Sequence, residues 1–557
     1  MKYLFDMVHH NPGESPCDTN FTDPAYIAGY GFNGQVFKHA HCMATFEKAA
    51  PGVYPSTDEE RIWLNEFTET LQHQMRAAKE AGLAVYSHVD LFVLPAAIVE
   101  HFRDEICDPQ TGRIDIERPK TLELHQMLID ELFERFPELD GLVIRVGETY
   151  LFDTPHHAGN SAVPLYDTSR AEQSPKYVKL IRFLREAICV RHEKLCIYRT
   201  WDYFTDQLHA DPDYYLEVSN QVEPHEKLIF SIKHTAYDFH RWVPVNEALC
   251  RGQHQQVIEV QCQREYEGKG AFPNYTAHGV INGFSEAKQT RGLRDILPHP
   301  RVVGIYTWTR GGGWYGPYVT SKTELWCDLN AYVIAAYAQD PTQDEETLFN
   351  KYATEVLGLS GEDINRFRHI ALLSLDGVVK GKCCEAWDHG SNHGECYPTN
   401  QWMRDDVMHG YDLLAPVFDF LIQNELVDAA LKEKAESVAV WREIVSEAEG
   451  MNCNPPLKAV ILASCTYGLR FFTFIEAAWR LLLLAREEEE LDAGSGKAGI
   501  IQALQAVDSA WGHYQQLPED HPLAATLYRD KGWNWPGKDL PDGLGASIEQ
   551  VRGAISS

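Results

Sequence analysis

The chain has 557 residues, and 50 Lys and Arg against 81 Asp and Glu leave a formal net charge of −31. That balance repels phosphates over most of the surface. Neither nucleic acid nor a membrane is therefore an expected partner, and an anionic ligand would need a local cluster of Arg and Lys. Hydrophobic residues make up 44% and charged residues 24%, an ordinary globular composition with material for a large core.

The first three-fifths of the chain alternate short apolar runs with amphipathic helical stretches. Eight runs read as strands: Tyr3–Val8, Gly34–Phe37, Ala84–Val89, Leu142–Val146, Leu195–Arg199, Leu228–Lys233, Val257–Gln261 and Val302–Thr307. Several are continuous Val/Ile/Leu segments, as strands covered on both faces of a parallel sheet must be. Between them, Ser56-Thr57-Asp58-Glu59 resembles a capping box and opens a helix that runs to Gly82. A second helix over Lys120–Phe136 carries Leu122, Leu124, Met127, Leu128, Leu132 and Phe133 at helical spacing before Pro137. This rhythm predicts a (β/α)8 TIM barrel over residues 1–335.

Beyond about residue 335 the texture becomes helical, with Ala429–Ala448, Leu457–Leu491 and Gly499–Gln516 as the clearest segments, so residues 336–557 are expected to form an all-helical C-terminal domain. The most apolar stretch, Ala459–Ala485, is interrupted by Arg470, Glu476 and Arg480 and reads as a buried helix. Lys531–Gly545, with Trp533 and Trp535, reads as irregular. Thirteen scattered cysteines do not form a disulfide framework. The start reaches Asp6 and His9-His10 before an apolar run can form, so no secretory signal is read and a cytoplasmic location is expected.

In such a barrel the active site lies past the C-terminal ends of the strands. Strand four leads into Arg145-Val146-Gly147-Glu148, and strand five into Arg199-Thr200-Trp201-Asp202. Strand six leads into Lys233 and then Asp238, strand seven into Gln261-Cys262-Gln263-Arg264-Glu265-Tyr266-Glu267, and strand eight into Trp308-Thr309-Arg310-Gly311-Gly312-Gly313-Trp314. Carboxylates, cations and aromatics thus converge on one mouth. The set suits glycoside hydrolysis, in which one acid protonates the leaving oxygen, a second carboxylate activates water, and aromatic faces hold the sugar. The plainer alternative is that each carboxylate caps a helix or pairs with a neighbouring Arg, and that Trp308 and Trp314 are core residues.

Two further clusters have metal-ligand residue types: His39-Ala40-His41-Cys42, and Cys383-Cys384 with His389, His393 and Cys396. Neither has a recognised zinc spacing, so no metal or other cofactor is expected. His156-His157 read as a solvated loop pair. Gly311-Gly312-Gly313 lacks the Lys-Ser/Thr of a phosphate loop.

At Ile232-Lys233-His234-Thr235-Ala236-Tyr237-Asp238-Phe239 and Glu259-Val260-Gln261-Cys262-Gln263-Arg264-Glu265-Tyr266-Glu267-Gly268 the sequence resembles the α-glucuronidases of glycoside hydrolase family 67. The resemblance covers nearly the whole chain and implies a barrel followed by a helical domain. By it, Asp238 and Glu265 position and deprotonate the attacking water, and Glu148, in Leu142-Val143-Ile144-Arg145-Val146-Gly147-Glu148, is the general acid. It also implies that Arg145, Arg199 and Lys233 grip a uronate carboxylate and that the chain forms a homodimer through its helical half, while the residue types at the strand ends put Trp201, Trp308 and Trp314 beside the sugar. The chain departs from the family in beginning directly with strand one, where relatives usually carry a β-sandwich, and in its strand-eight sequence.

The expected activity is therefore exo-acting, inverting release of an α-linked uronic acid, glucuronate or its 4-O-methyl ether, from short xylan-type oligosaccharides. The alternatives are a same-fold glycosidase for another acidic or neutral sugar, or a non-catalytic carbohydrate-binding protein. For the cations the alternative is pairing with Glu148, Asp202 or Asp238, which would hold geometry and bind nothing.

Overall fold

The structure, a computed structural model, describes residues 1–9, 15–149, 151–164, 168–202, 207–312, 316–388, 411–491, 497–527 and 544–556. Eight parallel strands close into a barrel in chain order: Tyr3–His9, Gly34–Lys38, Ala84–Asp90, Gly141–Arg145, Leu195–Arg199, Leu228–Lys233, Gln255–Gln261 and Val302–Gly311. Strand eight closes on strand one with Tyr3 opposite Gly304 and His9 opposite Gly311. All eight apolar runs of the sequence are strands. Strand eight runs four residues further than its apolar pattern, because Val8 and His9 of strand one pair with Arg310 and Gly311.

The barrel interior is packed. Phe5, Met7, Val36, Tyr86, Val143, Ile197, Ile229, Tyr306 and Trp308 belong to one buried cluster inside it, with the Phe5 ring 5.2 Å from Tyr86 and 4.8 Å from Tyr306. Layers of this kind fill a barrel core and leave chemistry to the rim. Outside, helix Asp58–Glu80 starts with a full capping box in which Thr57 and Glu60 exchange hydrogen bonds, a cap worth about 1 kcal/mol. Helix Pro119–Arg135 buries Leu124, Leu128 and Leu132 against the barrel.

Helices follow strand eight, including Leu325–Gln339, Glu362–Lys382, Val427–Gly450, Pro455–Leu491 and Lys497–Gln515. Helix Pro455–Leu491 is long and apolar enough to cross a membrane by length and composition, and 61% of its apolar window is buried inside the protein. The predicted irregular segment around Trp533 and Trp535 lies almost entirely outside the described residues.

The helical region buttresses the loops that leave strands six and seven. Phe272 stacks against Phe471 and meets Phe472 and Trp441 edge-on, and aromatic contacts of this kind contribute about 0.5–1.5 kcal/mol each beyond burial. Arg241 donates to the Leu375 carbonyl at 3.1 Å, and Lys382 to the Tyr266 carbonyl at 2.6 Å.

Candidate active site

Strands four and five meet at their ends through backbone. At Gly147 an added Cβ would collide with the Trp201 carbonyl oxygen, so the absence of a side chain lets the Glu148 loop lie directly on strand five. As a result Trp201 Nε1 donates to Glu148 Oε2 at 2.7 Å. The Trp201 ring is buried with Tyr237 and Val243, and the Lys233 ammonium lies 3.2 Å from its centroid. A cation on an indole face at low exposure is worth about 2 kcal/mol.

Lys233 also donates to Asp238 Oδ1 at 3.0 Å, and Tyr266 donates to the other oxygen of that carboxylate at 2.9 Å. Tyr266 directly follows Glu265, so its bond ties the strand-six loop to the segment that carries the second predicted water-side acid. Glu265 itself is buried, and its backbone N–H donates to Gln261 Oε1 at 2.7 Å. Gly312 adopts φ +85°, and an added Cβ there would collide with the Glu265 carboxylate and the Gln261 amide. Strand eight therefore reaches the site as bare backbone.

Glu148, Trp201, Lys233, Asp238 and Tyr266 form one contact chain running from the strand-four mouth to the strand-seven mouth, with Glu265 beside it. Trp308 is buried inside the barrel, stacked on His9 at 4.6 Å, edge-on to Phe239, with the Arg199 guanidinium 5.0 Å from its ring. Trp314 lies outside the described residues.

Each predicted clamp cation faces a carboxylate. Arg145 donates through Nε and Nη2 to the two oxygens of Asp90, both at 2.5 Å. Arg199 grips Glu259 in the same forked way at 2.7 and 2.8 Å, and its Nη1 lies 3.3 Å from His88 Nε2. Burial works against the Arg199 charge, but Glu259 outweighs it and raises the guanidinium pKa. His88 is pushed well below its ordinary value, first by burial and then by Arg145 and Arg199, so it is neutral and can accept from Arg199. Lys233 pairs with Asp238, as the pairing alternative holds, whereas Arg145 and Arg199 take Asp90 and Glu259 in place of Glu148 or Asp202. Asp202 accepts from the His209 backbone at 3.2 Å.

Sequence reasoning missed Asp90, Glu259, Tyr266 and His9. For Glu259 a signal was present: a carboxylate inside Val257-Ile258-Glu259-Val260 needs a buried cation nearby. Asp6, on strand one, was missed too. Burial raises its pKa to about 7 against hydrogen bonds from Thr307 and Thr309.

The strand-two mouth holds His39, His41 and Cys42 with their ligand atoms within 4.8 Å of one another. His157 is buried beside them, its Nε2 3.1 Å from the Cys42 carbonyl, and burial first holds its pKa down at about 3. It is not the solvated residue expected, because the short pairing of His157–Gly159 with Val93–Pro95 draws it inward. Of the second cluster, Cys383 and Cys384 are buried, while His389, His393 and Cys396 lie outside the described residues.

No protein-family model matches the chain, and no curated protein matches it. Among solved structures, it is similar to a GH138 enzyme targeting pectin rhamnogalacturonan II, with a TM-score of 0.57, 9% identity, and coverage of 100% of this chain and 67% of that one. An O-GlcNAc hydrolase from Thermobaculum terrenum is similar at a TM-score of 0.41 and 10% identity, covering 100% of this chain and 93% of that one. CpGH84B is similar at a TM-score of 0.38 and 10% identity, covering 99% and 76%. The first likeness shows the barrel-plus-helices fold and no more, since fold does not fix function.

Proposed function

We propose that the chain is an exo-acting glycoside hydrolase that releases an α-linked uronic acid, glucuronate or its 4-O-methyl ether, from short xylan-type oligosaccharides with inversion. The observation that carries this reading is the contact chain in which Trp201 bonds Glu148 and stacks on Lys233, which in turn holds Asp238. Glu148 protonates the leaving glycosidic oxygen as the anomeric C–O bond breaks. Asp238 and Glu265 take a proton from the water whose oxygen bonds the anomeric carbon from the opposite face. Trp201, buried with Lys233 on its ring, holds these groups in place from beneath the site. The family resemblance supplies the uronate and the xylan-type leaving group, and further implies a homodimer through the helices, which light scattering tests.

The ion pairs favour a second reading, in which the sugar is neutral. Arg145, Arg199 and Lys233 each face a carboxylate, so the three pairs carry no net positive charge toward a substrate anion.

A hydrolysis screen separates the readings. Glucuronosyl xylo-oligosaccharides should be cleaved at least about 10³-fold better than glucosyl analogues, because a site built for a carboxylate leaves polar groups unpaired with CH2OH. Equal or better cleavage of glucosyl or mannosyl analogues would assign a neutral sugar. Galacturonosyl substrates and pectin rhamnogalacturonan II fragments belong in the panel. Cleavage of no glycoside at all would overturn the hydrolase reading.

A further inference from the structure

The strand-two mouth carries chemistry that the acid/base account does not use. Strand two ends at Lys38, and His39 then adopts φ 65°, a left-handed conformation that non-glycine residues rarely take, before the turn Ala40–Met43. Such a conformation costs about 1–3 kcal/mol and persists where its surroundings hold it. Here it brings His39 round to face the two side chains that follow.

The ligand atoms of His39, His41 and Cys42 lie within 4.8 Å of one another. His41 Nε2 is 3.4 Å from Cys42 Sγ. Tetrahedral zinc with arms of about 2.1 Å to nitrogen and about 2.3 Å to sulfur would separate those atoms by roughly 3.5 Å. His39 Nε2 is 4.0 Å from Asp153 Oδ2 on the strand-four loop. His41 and Cys42 are buried, at 1% and 0% exposure, the His39 side chain is partly buried, and His41 Nδ1 has no hydrogen-bond partner among the described residues.

We propose that His39, His41 and Cys42 bind one divalent ion of the zinc class through three protein ligands. Two imidazoles and a thiolate suit a borderline-soft metal, and the Asp153 carboxylate beside His39 offsets its remaining charge. A thiol–imidazole hydrogen bond alone accounts for the His41–Cys42 contact but not for the His39 ligand atom lying within 4.8 Å of both. Through the His39–Asp153 pair the ion would be linked to the loop that carries Glu148, five residues before Asp153. His157 would hold the Cys42 backbone from behind, through its bond to that carbonyl.

The test uses the full chain, stripped with a chelator and titrated with Co2+ and then Zn2+. The expected result is near one equivalent bound, with a thiolate-to-cobalt charge-transfer band, the strong visible bands of tetrahedral cobalt, and displacement of both by Zn2+. Cys42→Ser should abolish the charge-transfer band, and His39→Ala should weaken Zn2+ binding at least about tenfold. Less than one-tenth equivalent bound by the wild-type chain would overturn the proposal without any variant. So would a charge-transfer band that survives in Cys42→Ser, since another of the 13 cysteines would then be the ligand.

Discussion

Trp201 Nε1 donates to Glu148 Oε2 at 2.7 Å, across the ends of strands four and five. The bond fixes where the carboxyl points, and the same indole ring carries Lys233, so Trp201 is a positioning residue for both sides of the proposed reaction. Trp201→Phe keeps an aromatic face for Lys233 and removes the N–H. Loss of one hydrogen bond to a charged or proton-donating group is worth about 1.5–3 kcal/mol, or roughly 10- to 150-fold in kcat/KM. The alkaline limb of the pH–rate profile, which reports loss of the general acid's proton, should move as well, and a purely structural role for Trp201 would leave it in place.

Glu148→Gln retains the bond from Trp201 but cannot protonate a leaving group. Activity on natural glycosides should fall about 10²–10⁴-fold. Aryl glycosides with a good leaving group need little protonation and should lose far less. Equal losses on both substrate types would assign Glu148 a structural role.

The Arg199–Glu259 pair is buried at 1% and 0% side-chain exposure. Removing one partner strands a buried charge, so Arg199→Ala should cost about 3–5 kcal/mol in a denaturation experiment. The double variant Arg199→Met with Glu259→Leu should recover much of that loss. If Arg199 instead binds a substrate carboxylate, Arg199→Ala will unfold as the wild type does and lose only its preference for the uronate.

Asp6 gives a pH signature of folding. Its carboxyl has a pKa of about 7 in the folded chain against an ordinary 3.8, with burial as the main cause. The folded state therefore holds a proton between those values that the unfolded chain has released. The resulting stabilisation is fully present below about pH 4 and is lost as pH rises through about 7, on the order of 4 kcal/mol in all. Asp6→Asn can still accept from Thr307 Oγ1 and the Thr309 N–H through its amide oxygen, while its NH2 donates to Thr309 Oγ1, and it does not titrate. Its denaturation free energy should be flatter between pH 4 and 7 than that of the wild type.

The barrel was legible in the sequence because strands buried on both faces must be continuously apolar, and Leu142–Ile144 or Leu228–Ile232 can be little else. The end of strand eight was not, since Trp308, Thr309 and Arg310 break the apolar pattern, and the strand is continued there by pairing of Trp308 with Gln261 and of Arg310 with Val8. The mouth residues were legible as types at strand ends. Their pairings were not, because Arg145 meets Asp90 across 55 residues and Arg199 meets Glu259 across 60, partnerships set by strand register and sheet curvature. The left-handed turn at His39 likewise leaves no sequence pattern for a cluster without a familiar ligand spacing.

The central claim is that Glu148 works from one side of the sugar and Asp238 with Glu265 from the other. Such a division places water opposite the leaving group and inverts the anomeric carbon, with the acid about 6.5–9.5 Å from the water-side carboxylates. Proton NMR of the first-formed sugar from an α-linked glucuronosyl xylo-oligosaccharide tests this directly. The account predicts that the β-anomer appears first and mutarotates later. An initial α-anomer would mean that a covalent intermediate forms on one of these carboxylates, and would contradict the assignment of Asp238 and Glu265 to a water.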